Sequence, residues 1–519
     1  MSDGLLIGID AGTSVIKSVA FTIAGERIAA AAIPNSYETL PGGGAEQDMA
    51  RTWRDAAATL RQLGDKIPNL AHRVIAIAVT GQGDGMWLVD QHGEPVAPAW
   101  LWLDSRAASI AEEVVGGPAH AGHYSRTGTG VNACQMNVQL AWMQRHRPQV
   151  LALADTAFHC KDWLYFKLTG CRNADPSEAN FTFGEYASRT YAPYILDALD
   201  APEAKHLLPP IVEGTEQAAL LSSEAAALTG LKAGTPVVLG YVDVVCTALG
   251  GGLFDPRGTV GCTIAGSTGM HMRLAPSAGK VKLNAEMSGY TMAFPVPGMY
   301  AQMQSNMAST LNIDWLLDLA RGILLEHGVD KSRGDLLNGL DDRIMARAPA
   351  RILYHPYISQ AGERGPFMEP AARAMFTGVE LGHGFADLMR AVFEGLCFAA
   401  RDCYSAMGEI PHEVRVTGGA ARSAALKLIL ASTLNASIRT VNRDEAGAAG
   451  AAMMAAVQQK LFPDMATCAA EWVDPLLGPA TTPDAALAKT YDKTFPLYRE
   501  TREKMRPVWR GLQEVRRGA

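Results

Sequence analysis

The chain has 519 residues, of which 48% are hydrophobic, and its 46 Lys and Arg against 53 Asp and Glu leave a net charge of −7. Because one hydrophobic core seldom supports a chain of this length, we expect two domains. The mild acidity removes the electrostatic basis for binding nucleic acid, and no apolar run is long enough for a membrane span.

The first predicted element is a β-hairpin. Residues 5–9 form an apolar run, a turn of small residues follows from Asp10 to Ser14, and an apolar pattern then resumes. A carboxylate at the end of an apolar strand is costly unless a cation compensates it, which suggests Mg²⁺ at Asp10. Bare backbone in such a turn can approach a phosphate, although an ordinary tight turn is the alternative interpretation.

A second predicted element is a buried strand at residues 74–81 that feeds the glycine-rich segment GQGDG. Together with AWLWLDSR at residues 99–106 it supplies Asp84, Trp102, Asp104 and Arg106. Carboxylates beside an aromatic wall and a cation are typical of sites for polyhydroxylated ligands. The alternative is a set of loop charges with a structural Asp–Arg pair.

Asp243 is the one charge in the apolar stretch TPVVLGYVDVVCTALGGG. Its functional interpretation is a general base facing a cleft between domains, and the alternative is a buried aspartate satisfied by backbone amides. Three successive glycines and a proline interrupt the apolar pattern in residues 248–258, so we expect the domains at residues 1–247 and 248–519, with the glycines at 250–252 as part of a hinge.

The second half repeats this organisation. TVGCTIAGSTGMHM predicts another hairpin, with its turn at Gly266, Ser267 and Thr268, and EVRVTGGAARS predicts another strand that ends in glycines. A helix is predicted over residues 385–403 and a charged helix at the carboxyl end. Neither a P-loop nor GxGxxG occurs, so phosphate binding has to come from the hairpin turns.

In this order, the segments resemble the FGGY family of carbohydrate kinases. The most specific match is AMFTGVELGHGFADLMRAVFE at residues 374–394, and further matches are IGIDAGTSVIK, WLWLDSR, KDWLYFKLTG, GERGPFMEP and VTGGAARS. The resemblance implies an α/β fold of two ribonuclease-H-like domains, of the actin-like ATPase superfold, around a central cleft. It implies a transferase that uses ATP and Mg²⁺.

The resemblance also implies roles for individual residues. Asp243 would be the general base, and Asp10 would hold the metal. The remaining candidates fall into three groups: substrate binding by Gly83, Asp84, Trp102, Asp104 and Arg106; phosphate binding by Gly12, Thr13, Lys17, Gly266, Ser267 and Thr268; and contact with adenosine by Gly418, Gly419 and Ser423.

Two departures bear on the substrate. Gln139 stands where the family normally has a lysine, and Gly83-Asp84 replaces the Met-His of xylulose kinases and the Arg-Glu of glycerol kinases. TGQGDG, NACQ and DPSE are most similar to the erythritol kinases of the family, which implies that a small polyol is phosphorylated at a terminal hydroxyl. The alternatives are another polyol or a ketopentose such as xylulose or ribulose, a non-kinase actin-like ATPase, and a silent sugar-binding regulator.

Cysteine usage and the resemblance together predict the cellular compartment and the partners of the protein. The eight cysteines include no CxxC, which favours free thiols in a reducing cytoplasm. The expected partner is a small polyol or sugar, with no nucleic acid and no membrane. Members of the family often form dimers or tetramers, so a homodimer or homotetramer is compatible with the resemblance.

Overall fold

The structure is a computed structural model that describes residues 3–192 and 194–518. Its first half contains thirteen strands and eleven α-helices within those residues. The strands are β1 (Leu5–Ala11), β2 (Val15–Thr22), β3 (Arg27–Pro34), β4 (Glu38–Leu40), β5 (Gly44–Gln47), β6 (Val74–Gly81), β7 (Trp87–Val89), β8 (Ala99–Trp100), β9 (Thr156–Phe158), β10 (Gly184–Glu185), β11 (Thr190–Tyr191), β12 (Ala219–Leu220) and β13 (Pro236–Leu239). The helices are α1 (Met49–Lys66), α2 (Leu70–Arg73), α3 (Ala108–Gly116), α4 (His120–Thr127), α5 (Met136–His146), α6 (Pro148–Leu151), α7 (Cys160–Thr169), α8 (Pro176–Phe183), α9 (Tyr194–Ala198), α10 (Ser223–Thr229) and α11 (Asp243–Gly250).

The second half follows with the remaining elements. Its strands are β14 (Val260–Ala265), β15 (Gly269–Ala275), β16 (Tyr290–Ala293), β17 (Tyr300–Asn306), β18 (Leu353–His355), β19 (Met375–Thr377), β20 (Glu413–Thr417) and β21 (Ser437–Thr440). Its helices are α12 (Thr310–Glu326), α13 (Arg333–Leu337), α14 (Leu340–Met345), α15 (Phe385–Ala406), α16 (Ala424–Leu434), α17 (Ala446–Gln458), α18 (Met465–Trp472) and α19 (Ala485–Gly518). Short 3₁₀ helices span Pro202–Leu207, Ala278–Lys280, Gly419–Arg422 and Asp474–Leu476.

Each half is built on a six-stranded sheet of the same design. The strand order is β12-β13-β6-β1-β2-β3 in the first sheet and β16-β17-β15-β14-β20-β21 in the second. In each sheet a hairpin, β1–β2 or β14–β15, pairs in parallel with a later strand, β6 or β20. The predicted hairpins, the two strands that end in glycines and the duplicated architecture are therefore confirmed.

The two halves meet where α11 and α17 cross. A Cβ on Gly250 would lie 2.1 Å from the Ala446 oxygen, and one on Gly450 would lie 2.0 Å from the Cys246 oxygen. Only glycine permits so close an approach of two helices. Helix α11 continues to Gly250, so residue 248 lies inside a helix. The domain boundary and the hinge stay predictions.

Two helices predicted from periodicity are present. Helix α15 buries Met389, Val392, Phe393 and other apolar side chains in a hydrophobic core of the second half. Helix α19 buries Tyr491 and Tyr498 in the same core. In the described part of the chain, no helix is both long enough and apolar enough to cross a membrane.

Candidate active site

A cavity of about 330 Å³ lies between the two halves. Six residues singled out from the sequence are brought together in its wall: Thr13, Gly83, Asp84, Trp102, Asp243 and Thr268. Other polar groups come from the second half, namely Tyr290, Asn306 and Arg364. Polar groups from both halves therefore converge on one small space, as at many ligand sites.

Asp84 follows β6, in a conformation that few residues other than glycine adopt. Its φ of 54° is in the left-handed region, and its backbone N–H donates to Glu178 Oε1 at 2.8 Å. The Tyr290 hydroxyl and the Cys134 thiol donate to Oδ2, whereas Oδ1 is buried with no partner among the described residues. Burial raises the pKa of the carboxyl group. One acceptor oxygen is thus available to a ligand hydroxyl.

Asp243 is the first residue of α11 and also lines the cavity. Its pKa is raised well above the ordinary value, first by burial and then by the negative charges of Asp10 and Glu178. The Val244 N–H and the positive charge of Lys161 act in the opposite direction. A carboxylate with an elevated pKa is a stronger proton acceptor once it is ionised.

The turn after β1 lies beside this carboxylate. Burial raises the pKa of Asp10 to about 6, against the charge of Lys17. A Cβ on Gly447, near the start of α17, would lie 2.4 Å from Asp10 Oδ2. The absence of a side chain at Gly447 therefore lets the first turn of α17 pack against the carboxylate. The Lys17 ammonium is bound to Glu445 at 2.9 Å. Gly12 closes the turn by donating to the Val15 oxygen.

The residues around Asp10 fit a magnesium ion. Mg²⁺ prefers carboxylate oxygens and usually needs only one or two from the protein, with water and phosphate completing its shell. The negative charge of Asp10 raises the pKa of the neighbouring Asp243, and a divalent cation would relieve this repulsion. A different cluster, formed by His159, Asp162 and Glu178, has metal-ligand spacing, but the Lys161 ammonium already pairs with both of its carboxylates.

The turn after β14 faces the same region from the second half. Backbone N–H groups at the start of α12 donate to the oxygens of Ser267 and Gly266, which holds the turn against that helix end. Gly418 has a φ of 94°, and a Cβ there would lie 2.5 Å from the Ala265 oxygen. The strand β20 thus ends beside the turn, and Gly419 lies in open space.

Three predicted residues make bonds that a structural role would explain. Ser423 caps α16 and donates to Asp341 Oδ1 at 2.7 Å. Asp104 is buried; it accepts from the Ala45 N–H and pairs with Arg106, whose guanidinium lies 3.5 Å above the Trp100 ring. Asp104, Arg106 and Ser423 are not among the described residues that line the cavity. Their assignment to ligand binding stays a prediction.

Sequence reasoning did not single out some groups at this site. Tyr290 and Arg364 reach the cavity from the second half, and Arg364 is in GERGPFMEP, a motif that was noted without a role for any of its residues. Glu178 and Lys161 are buried behind Asp84. The sequence signal for this charged cluster is the pair Lys161 and Asp162 inside the otherwise apolar segment FHCKDWLYF.

Comparisons with known proteins agree with this geometry. The sequence matches the N-terminal domain of the FGGY family of carbohydrate kinases over residues 5–250 and the C-terminal domain over residues 261–459. It is 52% identical to the erythritol kinase of Brucella abortus (strain 2308) over 97% of each chain, and 27% identical to the L-xylulose/3-keto-L-gulonate kinase of Escherichia coli K12 over 95% of each chain. The structure superposes on xylulose kinase from Rhodospirillum rubrum with a TM-score of 0.87 and 26% identity, over 98% of this chain and 100% of that one.

Proposed function

The chain belongs to the FGGY family of carbohydrate kinases, and we propose that its substrate is erythritol, which it phosphorylates at a terminal hydroxyl. It is an ATP-dependent kinase, and its two sheets form the two-domain actin-like ATPase fold. The observation that carries the proposal is the meeting of Asp243 and Asp84 in one cavity of about 330 Å³.

In the proposed reaction, Asp243 accepts the proton of the attacking hydroxyl as that oxygen bonds to the γ-phosphorus and the bond to ADP breaks. Asp84 Oδ1 accepts a hydrogen bond from another hydroxyl and so orients the polyol. Trp102 forms the apolar wall of the cavity. Positioning and neutralisation of charge supply most of the catalysis in such transfers.

Phosphate and metal binding are assigned to the turns on the two sides of the cleft. Asp10 would hold Mg²⁺, which neutralises phosphate charge when it is bound. Gly12, Thr13 and Lys17 would contact the phosphates from the first half. The groups proposed in the second half are Gly266, Ser267 and Thr268 for the phosphates, and Gly418, Gly419 and Ser423 for the adenosine. Their support is the close approach of Gly418, directly after β20, to the Ala265 oxygen, which would lie 2.5 Å from a Cβ on Gly418.

Erythritol is favoured over the other substrates by two observations. The relative at 52% identity is an erythritol kinase, whereas the L-xylulose/3-keto-L-gulonate kinase shares only 27%. The carboxylate of Asp84 occupies the position where the resemblance expects a histidine in xylulose kinases, and it accepts from hydroxyls without donating. We propose the cytoplasm as the compartment, since all eight cysteines are free and ATP is available there.

An ATP-coupled screen tests the substrate. ADP release would be measured with erythritol, threitol, glycerol, xylitol, ribitol, erythrulose, xylulose and ribulose, and without any acceptor. We expect the highest kcat/KM with erythritol and a low rate without an acceptor. A higher kcat/KM with a pentulose would contradict the substrate, a rate independent of acceptor would indicate an ATPase, and no phosphorylated product would indicate a silent regulator.

A further inference from the structure

A buried lysine connects the two carboxylate turns of the proposed active site. Lys161 is fully buried in α7, and its ammonium pairs with Asp162 at 2.9 Å, Asp175 at 2.6 Å and Glu178 at 2.6 Å. Burial alone would lower the pKa of the ammonium, but these three carboxylates overcome that effect and keep the pKa well above its ordinary value. Lys161 is therefore a permanent positive charge inside the protein.

One arm of this cluster reaches the substrate side. Glu178 binds Lys161 through Oε2 and accepts the backbone N–H of Asp84 through Oε1. That N–H belongs to the residue with a φ of 54°, a conformation that needs support from its surroundings. Glu178 thus holds the strained turn that carries Asp84.

The other arm reaches the general base. Asp175 binds Lys161 through Oδ1 and accepts the Ser177 hydroxyl through Oδ2. Ser177 Oγ in turn accepts the backbone N–H of Val242, the residue before Asp243, at 3.0 Å. The same network therefore ends on the two backbone amides that position Asp84 and Asp243.

The two turns also touch each other directly. A Cβ on Gly83 would lie 2.5 Å from Val242 Cγ2 and 3.2 Å from Glu178 Oε1. Any shift of Glu178 or Val242 would consequently change the separation between the substrate carboxylate and the base. Buried ion pairs seldom stabilise a fold more than well-packed apolar side chains would, so their energetic cost calls for another role.

We propose that Lys161 is a positioning residue that sets the distance between Asp84 and Asp243, through Glu178 on one side and through Asp175 and Ser177 on the other. The inference rests on the proposed function, because it takes Asp84 to bind the substrate and Asp243 to be the base. It adds a buried network, none of whose side chains has to touch the substrate.

Variants that cut one arm at a time test this proposal. Lys161→Met would leave three buried carboxylates without their cation, so folding would fail before kinetics could be interpreted. Ser177→Ala removes the acceptor for Val242 and leaves the ion pairs, whereas Glu178→Ala removes the acceptor for Asp84. Thr182→Val is the matched control, since Thr182 is equally buried in α8 and its hydroxyl has no partner among the described residues.

Substitutions in the two arms should change different kinetic parameters. We expect Ser177→Ala to lower kcat about 10-fold with little change in the carbohydrate KM, because it displaces the base. Glu178→Ala should raise the carbohydrate KM about 10-fold with a smaller effect on kcat, and Thr182→Val should change neither. The KM for ATP should stay unchanged in all three.

Melting temperatures of the same variants separate positioning from folding. If kcat and KM in Ser177→Ala and Glu178→Ala match those of Thr182→Val, or if both variants lose activity only in proportion to the folded fraction, the proposal is wrong. The assay uses whichever carbohydrate the wild-type enzyme phosphorylates, so an error in the substrate would be detected separately in the screen. An error in the base would be detected by Asp243→Asn.

Discussion

The indole N–H of Trp102 donates a hydrogen bond to Thr13 Oγ1 at 2.8 Å, and the Thr13 hydroxyl donates to Gln82 at 2.9 Å. Trp102 belongs to the proposed substrate wall and Thr13 to the proposed phosphate turn. The two parts of the site are therefore joined by a single hydroxyl. Binding of carbohydrate and binding of nucleotide should influence each other through it.

Trp102→Phe keeps an aromatic wall but removes the N–H donor. Since one hydrogen bond contributes about 1 kcal/mol, we expect the KM values for both carbohydrate and ATP to rise about five-fold. Steady-state kinetics with each substrate varied in turn would measure this. A change confined to the carbohydrate KM would show that the link to Thr13 has no functional effect.

Asp243→Asn should lower kcat about 100-fold or more, because an amide cannot accept the proton of the attacking hydroxyl. ATP binding, measured by calorimetric titration, should stay close to that of the wild type. Val244→Ala is a suitable control for packing at the same helix end. A kcat near the wild-type value in Asp243→Asn would exclude Asp243 as the base.

Asp10→Ala should raise the Mg²⁺ concentration needed for half-maximal rate, because the proposed metal would lose its protein carboxylate. The measurement is the initial rate at saturating ATP over a series of Mg²⁺ concentrations. Lys17→Met is the comparison, since Lys17 lies opposite Asp10 in the β1–β2 hairpin and its substitution keeps the carboxylate. Unchanged metal dependence in Asp10→Ala would rule out this metal assignment.

Asp84 and Asp104 should respond differently to the same chemical change. Asp84→Asn should raise the carbohydrate KM more than the ATP KM. In the wild-type protein Oδ1 has no partner among the described residues and is the proposed acceptor for a substrate hydroxyl, and the amide weakens that acceptor. Asp104→Asn breaks a buried pair with Arg106 and should lower the free energy of unfolding by about 3 kcal/mol. Kinetics and denaturant unfolding of both variants would test the distinction. A larger change in carbohydrate KM for Asp104→Asn than for Asp84→Asn would reverse the two roles.

His271 should make stability depend on pH. Burial lowers its pKa to about 4, and its ring bonds to Thr263 and Asn306. Between about pH 4 and 6.5 the unfolded chain binds a proton that the folded chain does not, so the free energy of unfolding falls as the pH is lowered through this range. The contribution of His271 should be about 3 kcal/mol smaller at pH 4 than at pH 7.5.

The comparison for this prediction is His271→Gln, which has no titrating ring. The free energy of unfolding of wild type minus that of the variant should decrease as the pH falls, whereas other titrating groups cancel in the difference. A difference that stays constant from pH 7.5 to 4 would mean that His271 is not held neutral in the folded protein.

Local features of the sequence predicted much of the fold. The hairpins around Asp10 and Ser267, and the strands that end at Gly81 and Thr417, are visible because apolar alternation and turn residues act between near neighbours. The glycines at 250–252 favoured a domain boundary in this part of the chain, but the first of them, Gly250, is the last residue of α11. Gly250 packs against Ala446, almost two hundred residues later, and this contact could not be read from the local sequence.

The sequence by itself determined the family, the duplicated α/β halves and the candidate carboxylates, since these depend on short motifs and on periodicity. Only the tertiary structure decided which candidates share a cavity: Thr13, Asp84 and Asp243 lie in its wall, whereas Asp104 is paired with Arg106. It also revealed that Lys161 joins the turns of Asp84 and Asp243. The physical reason is that the partner of a buried charge is selected by packing in three dimensions, and residues far apart in the chain supply it.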